Sequence, residues 1–289
     1  MAPMIEVLNL TRRFGLFTAV DDVSFTVPRG EVLGFLGPNG AGKSTTMRMI
    51  VGFLRPTTGS VRIGDFDIRK QPIKAKELIG YMPEGVPGYP DMMPRGFLNF
   101  AASIRGLRGK EKRRAVDGAI AKLGLEPVLN QPIETLSKGF RRRVGVAQAI
   151  LHDPPILILD EPTDGLDPNQ KYQVRTLIRE MAADKAIIIS THILEEVNAV
   201  CDRAMIIDHG KIVADGTPSE LESRSKYHNA VSISVAMDAA KEMEKILKAL
   251  PQVARVEAGA KEKGVQDYMV FPKEGAAIVR EVSDLARDR

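Results

Sequence analysis

The residues Gly37-Pro38-Asn39-Gly40-Ala41-Gly42-Lys43-Ser44-Thr45 fit the pattern G-x-x-x-x-G-K-[ST], and this order of residue types suits phosphate binding. Glycines let successive backbone N–H groups turn inward around phosphate oxygens, and the start of a helix adds positive potential. Lys43 is placed to reach the β- and γ-phosphates of a nucleotide, and the Ser44 hydroxyl to ligate Mg²⁺. The bare pattern arises by chance in roughly one chain of this length in a hundred at average residue frequencies. A second element, Asp160-Glu161-Pro162, follows the aliphatic run Ile156–Leu159. Here Asp160 would hold Mg²⁺ and Glu161 would act as general base on an attacking water. Taken alone the tripeptide also reads as a helix cap and turn; Lys43 upstream favours the metal role. A third element, Ile189-Ser190-Thr191-His192, again ends an aliphatic run. A lone histidine is commonly structural, but this one falls where it would donate to a γ-phosphate and stabilise charge as the bond breaks.

Such residues need a sheet edge to hold them together, and the surrounding sequence predicts one. Glu31–Leu36, Ile156–Asp160 and Ala186–Ser190 are short aliphatic runs, as expected of parallel strands buried on both faces. Between them lie stretches with helical spacing: Lys43–Leu54, and Tyr172–Ala183 with Val174, Leu177, Ile178 and Met181 on one face. The alternation predicts an α/β fold with a doubly wound parallel sheet. Ile5–Leu10, Ala19–Val27 and Ser60–Ile63 read instead as a β-rich opening, with turns at Pro28–Gly30 and Thr57–Gly59. Residues 85–149 read as mostly helical. They include a basic run from Arg105 to Arg114, read as a solvated helix end in preference to a lipid or nucleic-acid contact. Asp215-Gly216-Thr217-Pro218 reads as a boundary. Beyond it come a strand (Ala230–Val235), a helix (Ala239–Leu250), two strands (Val253–Glu257, Tyr268–Phe271) and a helix (Ala276–Ala286), resembling half of a ferredoxin-like unit.

Composition narrows the class. With 44% hydrophobic and 27% charged residues over 289 positions the chain is globular, and a net charge of +4 is too mild to imply nucleic-acid binding. The single cysteine, Cys201, excludes an internal disulfide, fits a reducing compartment, and reads as a small buried apolar residue. Glu6 interrupts the opening residues, which lack the pattern of a signal peptide. No run approaches the ~18 apolar residues that span a bilayer, so a membrane role must be borrowed from a partner.

Over residues 4 to about 220 the sequence resembles the nucleotide-binding subunits of ABC transporters, with the motifs in the family's order. The phosphate loop is residues 37–45, Leu136-Ser137-Lys138-Gly139-Phe140 is similar to the family signature, and Ile156–Pro162 to its acidic strand. Asp164-Gly165-Leu166-Asp167 resembles the D-loop, His192 the switch histidine, and Phe14 the aromatic that stacks on adenine. The resemblance implies a P-loop NTPase fold over residues 1–220. Its parts are a RecA-like parallel core, an antiparallel β subdomain and a helical subdomain at about 85–150, with a small α+β appendage over 221–289. It further implies ATP and Mg²⁺ as ligands and a head-to-tail homodimer. In that dimer Ser137 and the Gly139 amide cap the γ-phosphate bound by the other copy; Ser137 suits this, because a helix-starting hydroxyl and the N–H groups after it aim at an anion. A polytopic membrane permease is the implied partner, with the subunit cytoplasmic and peripheral on the inner face of the cell membrane. Closure on ATP and opening on hydrolysis would drive transport.

Three positions depart from the family pattern. Lys138 stands where Gly is usual and Phe140 where Gln is usual. Glu84 stands where a glutamine links metal to transporter; a carboxylate there can ligate Mg²⁺ but adds repulsion toward the γ-phosphate. Tyr89-Pro90-Asp91-Met92-Met93 through Ile104-Arg105-Gly106-Leu107, with Lys138-Gly139-Phe140, is similar to ATPases of ABC-2 type exporters. The alternative is a soluble family member acting on ribosomes, DNA or cofactor assembly. The single phosphate loop, and the absence of sustained heptads between Thr45 and Thr135, weigh against it. A binding subunit without catalysis is disfavoured by the presence of Lys43, Asp160, Glu161 and His192.

Overall fold

Ile5, Val7 and Leu10 are buried while Leu8 and Asn9 face outward, so β1 (Ile5–Phe14) has the alternation of a strand with one covered face. It pairs antiparallel with β2 (Phe17–Val27). The chain crosses to a second sheet as β3 (Val32–Leu36), passes the glycine-rich loop into helix α1 (Lys43–Ile50), and returns as β4 (Thr58–Ile63) and β5 (Phe66–Asp67). The first sheet therefore has the order β2-β1-β4-β5. These coordinates come from a computed structural model, which describes residues 3–85, 88–224, 229–262, 264–273 and 276–287.

After α2 (Pro72–Glu77) and β6 (Ile79–Met82), three helices follow: α3 (Pro94–Ile104), α4 (Gly109–Leu123) and α5 (Lys138–Ile150). They pack on one another, and α5 leans on β6. The chain continues through β7 (Ile156–Asp160), α6 (Pro168–Ala182), β8 (Ala186–Thr191), α7 (Leu194–Val200), β9 (Arg203–Asp208) and β10 (Lys211–Gly216). The second sheet has the order β10-β9-β3-β8-β7-β6, parallel throughout except for the β9–β10 pair. Every residue of β7 and β8 is buried, which explains their unbroken aliphatic sequence. Cys201 is buried and packs beside Gly34 of β3; desolvation pushes its thiol up to about 12, so it is an apolar filler.

Register brings the chemistry to one edge. Leu36 pairs with Thr191, Asp160 with Ser190, and Met82 with Leu159. The residues following β3, β6, β7 and β8 thus emerge side by side at the carboxyl ends of parallel strands, where α/β sheets bind ligands.

The chain divides into two compact units at Ser219 and Glu220, within α8 (Pro218–Ser223). Of the tetrapeptide Asp215-Gly216-Thr217-Pro218, the first two residues end β10 and Pro218 begins α8. Asp215 pairs with Met205, and its carboxylate accepts from the Arg203 guanidinium at 2.7 and 3.1 Å, which holds a turn-prone dipeptide in a strand. The second unit runs β11 (Val231–Ala236), α9 (Ala240–Ala249), β12 (Val253–Glu262), β13 (Val265–Pro272) and α10 (Val279–Arg287). Its sheet is antiparallel with the order β11-β13-β12, and Met243, Leu247, Tyr268, Val270 and Val282 form its core. The last helix starts at Val279, three residues later than the sequence predicts.

Candidate functional site

The phosphate loop owes its path to glycine. Gly42 sits at φ +106°, a left-handed conformation, and a Cβ there would come within 2.6 Å of the Ala19 carbonyl. At Gly37 a Cβ would meet the Ile207 carbonyl at 2.3 Å. Lys43, the first residue of α1, is buried, and its ammonium donates to the carbonyls of Gly37 at 2.6 Å and Pro38 at 3.2 Å. The same ammonium lies 3.8 Å from Glu161 Oε1.

Asp160 ends β7 fully buried. Its Oδ1 accepts from the Ser190 hydroxyl of β8, while its buried Oδ2 has no hydrogen-bond partner. A buried carboxylate oxygen left unpaired is costly unless something positive meets it. The donor set is that of a hard divalent cation: Asp160, with Ser44 Oγ standing 3.5 Å from Glu84 Oε2. Glu161 turns out of the strand at φ +52°, which is strained for a residue with a side chain. Its amide donates to Ser190 Oγ at 2.9 Å, which stabilises that turn. Burial raises the Glu161 carboxyl above its ordinary value, against the opposing pull of His192 and Lys43. His192 Nδ1 lies 3.2 Å from Glu161 Oε2.

Phe14, Pro38, Asn39, Gly40, Gly42, Lys43, Ser44 and Thr45 line one cleft of 340 Å³ together with Glu84 and Glu161. Gly37 and Ala41 belong to the loop wrapping it. Phe14 is half-exposed, with the Arg12 guanidinium 4.4 Å from its ring centroid. Phe17, across the β1–β2 turn, also lines the cleft; an exposed aromatic beside Phe14 is the signal that reading for motifs passes over.

Ser137 and Gly139 are not among the residues lining that cleft. Ser137 caps α5, its hydroxyl accepting from the Phe140 amide at 3.3 Å. The unusual Lys138 is tied to Asp164 at 2.7 Å. Arg142, buried in the same helix, contacts Asp164 at 3.3 Å and donates to the Glu84 carbonyl. The start of α5, the Asp164 turn and Glu84 are thereby held as one structure. Phe140 packs under Arg143, whose guanidinium is 4.4 Å from its ring.

One residue of the site gives no motif. Glu196, in α7, is buried. It accepts from Thr191 Oγ1 at 2.8 Å and Lys171 Nζ at 3.0 Å, and Thr163 also donates to it. Thr191 Oγ1 in turn accepts from the Ile193 amide at 3.1 Å. The segment carrying His192 is thus pinned on both sides through Glu196.

A family profile described as "ABC transporter" matches residues 20–164. The linearmycin resistance ATP-binding protein LnrL of Bacillus subtilis (strain 168) is 36% identical over 235 residues, covering 81% of this chain and 75% of LnrL. The ABC transporter ATP-binding protein YbhF of Escherichia coli (strain K12) is 36% identical over 223 residues, 77% of this chain; the chain spans 38% of the length of YbhF. Among solved structures, an ATP-binding subunit of an ABC transporter superposes with TM-score 0.70 at 32% identity, covering 76% of this chain and 92% of that one.

Proposed function

The chain belongs to the ABC transporter family, among its ATP-binding subunits, and from that premise we propose that it hydrolyses ATP, with Mg²⁺, to drive a membrane permease. The observation that carries this is the convergence of Lys43, Asp160, Glu161 and His192 at one sheet edge, with Lys43 Nζ 3.8 Å and His192 Nδ1 3.2 Å from the Glu161 carboxylate. Phe14 takes the adenine, and the loop amides with Lys43 take the β- and γ-phosphates. Ser44, Asp160 and Glu84 would hold the cation, which would supply neutralisation of phosphate charge. Glu161, its carboxyl raised by burial, removes a proton from the attacking water, and His192 orients that carboxylate and donates toward the γ-phosphate. The strained backbone at Glu161 fits a residue held for reaction.

The chain works as a homodimer. Ser137 and Gly139 support this reading: they are not among the residues lining the cleft, and the family resemblance assigns them to the nucleotide bound by a second copy. A groove of 660 Å³ supports a permease partner: Phe97, Phe100, Ile104 and Tyr81 line it, and Phe53 and Ile104 are 81% and 68% exposed. Open apolar surface of this kind takes a protein segment. Pro83 lines the groove and its neighbour Glu84 lines the nucleotide cleft, so a helix seated in the groove would contact the residue next to Glu84. Among the described residues no helix is long and apolar enough to cross a membrane; the permease supplies the spans and holds this subunit at the cytoplasmic face. An ABC-2 type exporter is the kind of system favoured, in keeping with the resistance protein among the relatives.

The test is to purify the tagged chain from native membranes in mild detergent and identify what co-elutes. A stoichiometric polytopic membrane protein is the expected result. Recovery with ribosomes or nucleic acid and no membrane protein would overturn the transporter reading.

A further inference from the structure

The basic run has no role in the chemistry above. Between Pro94 and Asp117 the chain has seven basic residues and two acidic ones, so this stretch alone exceeds the net charge of +4 of the whole protein. The structure separates its members. Arg105 turns inward and donates to the carbonyls of Lys76 and Ile79 at 2.9 and 3.0 Å, so it is not part of a solvated helix end. Arg108, Lys110, Arg113 and Arg114 remain exposed. Between α3 and α4 lies a hollow of 360 Å³ whose lining includes Arg95, Asn99, Lys112 and Arg113, with Asp117 as its acid. Arg95 meets Asp117 at 2.5 Å, and Lys112 donates to Ser103 at 2.8 Å, which fixes two of the cations at the wall. A net-positive hollow with several N–H donors suits a phosphate group. On the adjacent flank of α3, Phe100 and Ile104 are 41% and 68% exposed.

A cluster of exposed cations on one helical layer is the composition that binds the headgroups of an anionic bilayer. We propose that the α3–α4 face docks on the phosphate headgroups of anionic phospholipids and holds the subunit against the membrane surface. The orientation, though not the binding, rests on the transporter reading: Phe100 and Ile104 also rim the permease groove, so a subunit seated on a permease turns this layer toward the bilayer in which that partner is embedded.

The test uses the full chain and protein-free vesicles, so its result does not depend on whether a permease co-purifies. Co-sedimentation is measured with phosphatidylglycerol–phosphatidylcholine vesicles and with phosphatidylcholine alone. Binding is expected with the anionic vesicles only, weakening with salt as exposed charges are screened. Each cation near such a surface is worth about fivefold in partition. K110E/R113E/R114E is therefore expected to lose about a hundredfold or more, with ATP turnover unchanged. The same charge change placed elsewhere, K241E/K245E/K261E, is expected to retain binding. Equal binding to neutral vesicles, patch-variant binding like wild type, or equal loss in the control variant overturns the proposal. Release from vesicles by millimolar inorganic phosphate, or by duplex DNA, overturns it too, assigning the hollow to a soluble anion or to nucleic acid.

Discussion

Replacing Glu196 with alanine separates holding the catalytic segment from binding nucleotide. The carboxylate accepts from Thr191 at 2.8 Å and Lys171 at 3.0 Å, with Thr163 also donating. Thr191 and Thr163 are 1% and 4% exposed, so their hydroxyls cannot turn to water. Each buried hydroxyl left unpaired costs about 1–2 kcal/mol. The Lys171 side chain is 26% exposed and relaxes into solvent, so its share is small. The sum, about 2–4 kcal/mol, corresponds to a melting shift of about 5–15 °C for a unit of this size. Glu196→Gln keeps one acceptor and should lose about half. Because Thr191 adjoins His192, kcat should fall by about tenfold while the ATP dissociation constant, set by the loop and Lys43, stays the same. Stability also carries a pH signature. Burial pushes the Glu196 carboxyl up, but the bonds from Thr163, Thr191 and Lys171 outweigh it and hold the group below 4.5. A lowered folded-state value means that the stabilisation is complete above pH 4.5 and fades as pH falls through that lower value. The gap between wild type and Glu196→Gln, measured by urea unfolding, should therefore close on acidification. An unchanged kcat in folded Glu196→Ala, or a loss of stability below about 1 kcal/mol, would refute the reasoning.

Two other outcomes follow from the cleft. Phe14→Ala should weaken ATP binding by about 1–2 kcal/mol, the scale of base–aromatic stacking; an unchanged dissociation constant in calorimetry would mean that the ring serves only to pack under Arg12. Glu161 must be deprotonated to accept a proton, and burial raises its carboxyl above 4.5, so activity is lost as pH falls through that raised value. The acid limb of kcat/KM should lie above the ordinary carboxylate range, and a limb at or below 4.5 would assign the base elsewhere.

What could be read from the sequence was what chemistry constrains. Phosphate binding dictates residue types and spacing between Gly37 and Thr45, and a buried parallel strand dictates the aliphatic run before Asp160, so both were visible without coordinates. Glu196 was not, because its partners Thr163, Lys171 and Thr191 come from three separate parts of the chain and only the fold brings them to one carboxylate. Asp215-Gly216 shows a related effect: the dipeptide is turn-prone, yet the Arg203 guanidinium reaching from the neighbouring strand holds it in β10. Ile79–Met82 is a strand of four residues interrupted by Gly80, too short for periodicity to register. Lys138 departs from the family pattern, and its partner Asp164, 2.7 Å from the ammonium, is supplied only by the fold.

The most direct test of ATP-driven dimer closure is to compare wild type and Glu161→Gln for ATP turnover and for mass in solution with ATP and Mg²⁺. Removal of a general base predicts a turnover loss of about a hundredfold or more, with ATP retained and the variant held as a dimer. Unchanged turnover, or an ATP-loaded variant that stays monomeric, would contradict the account.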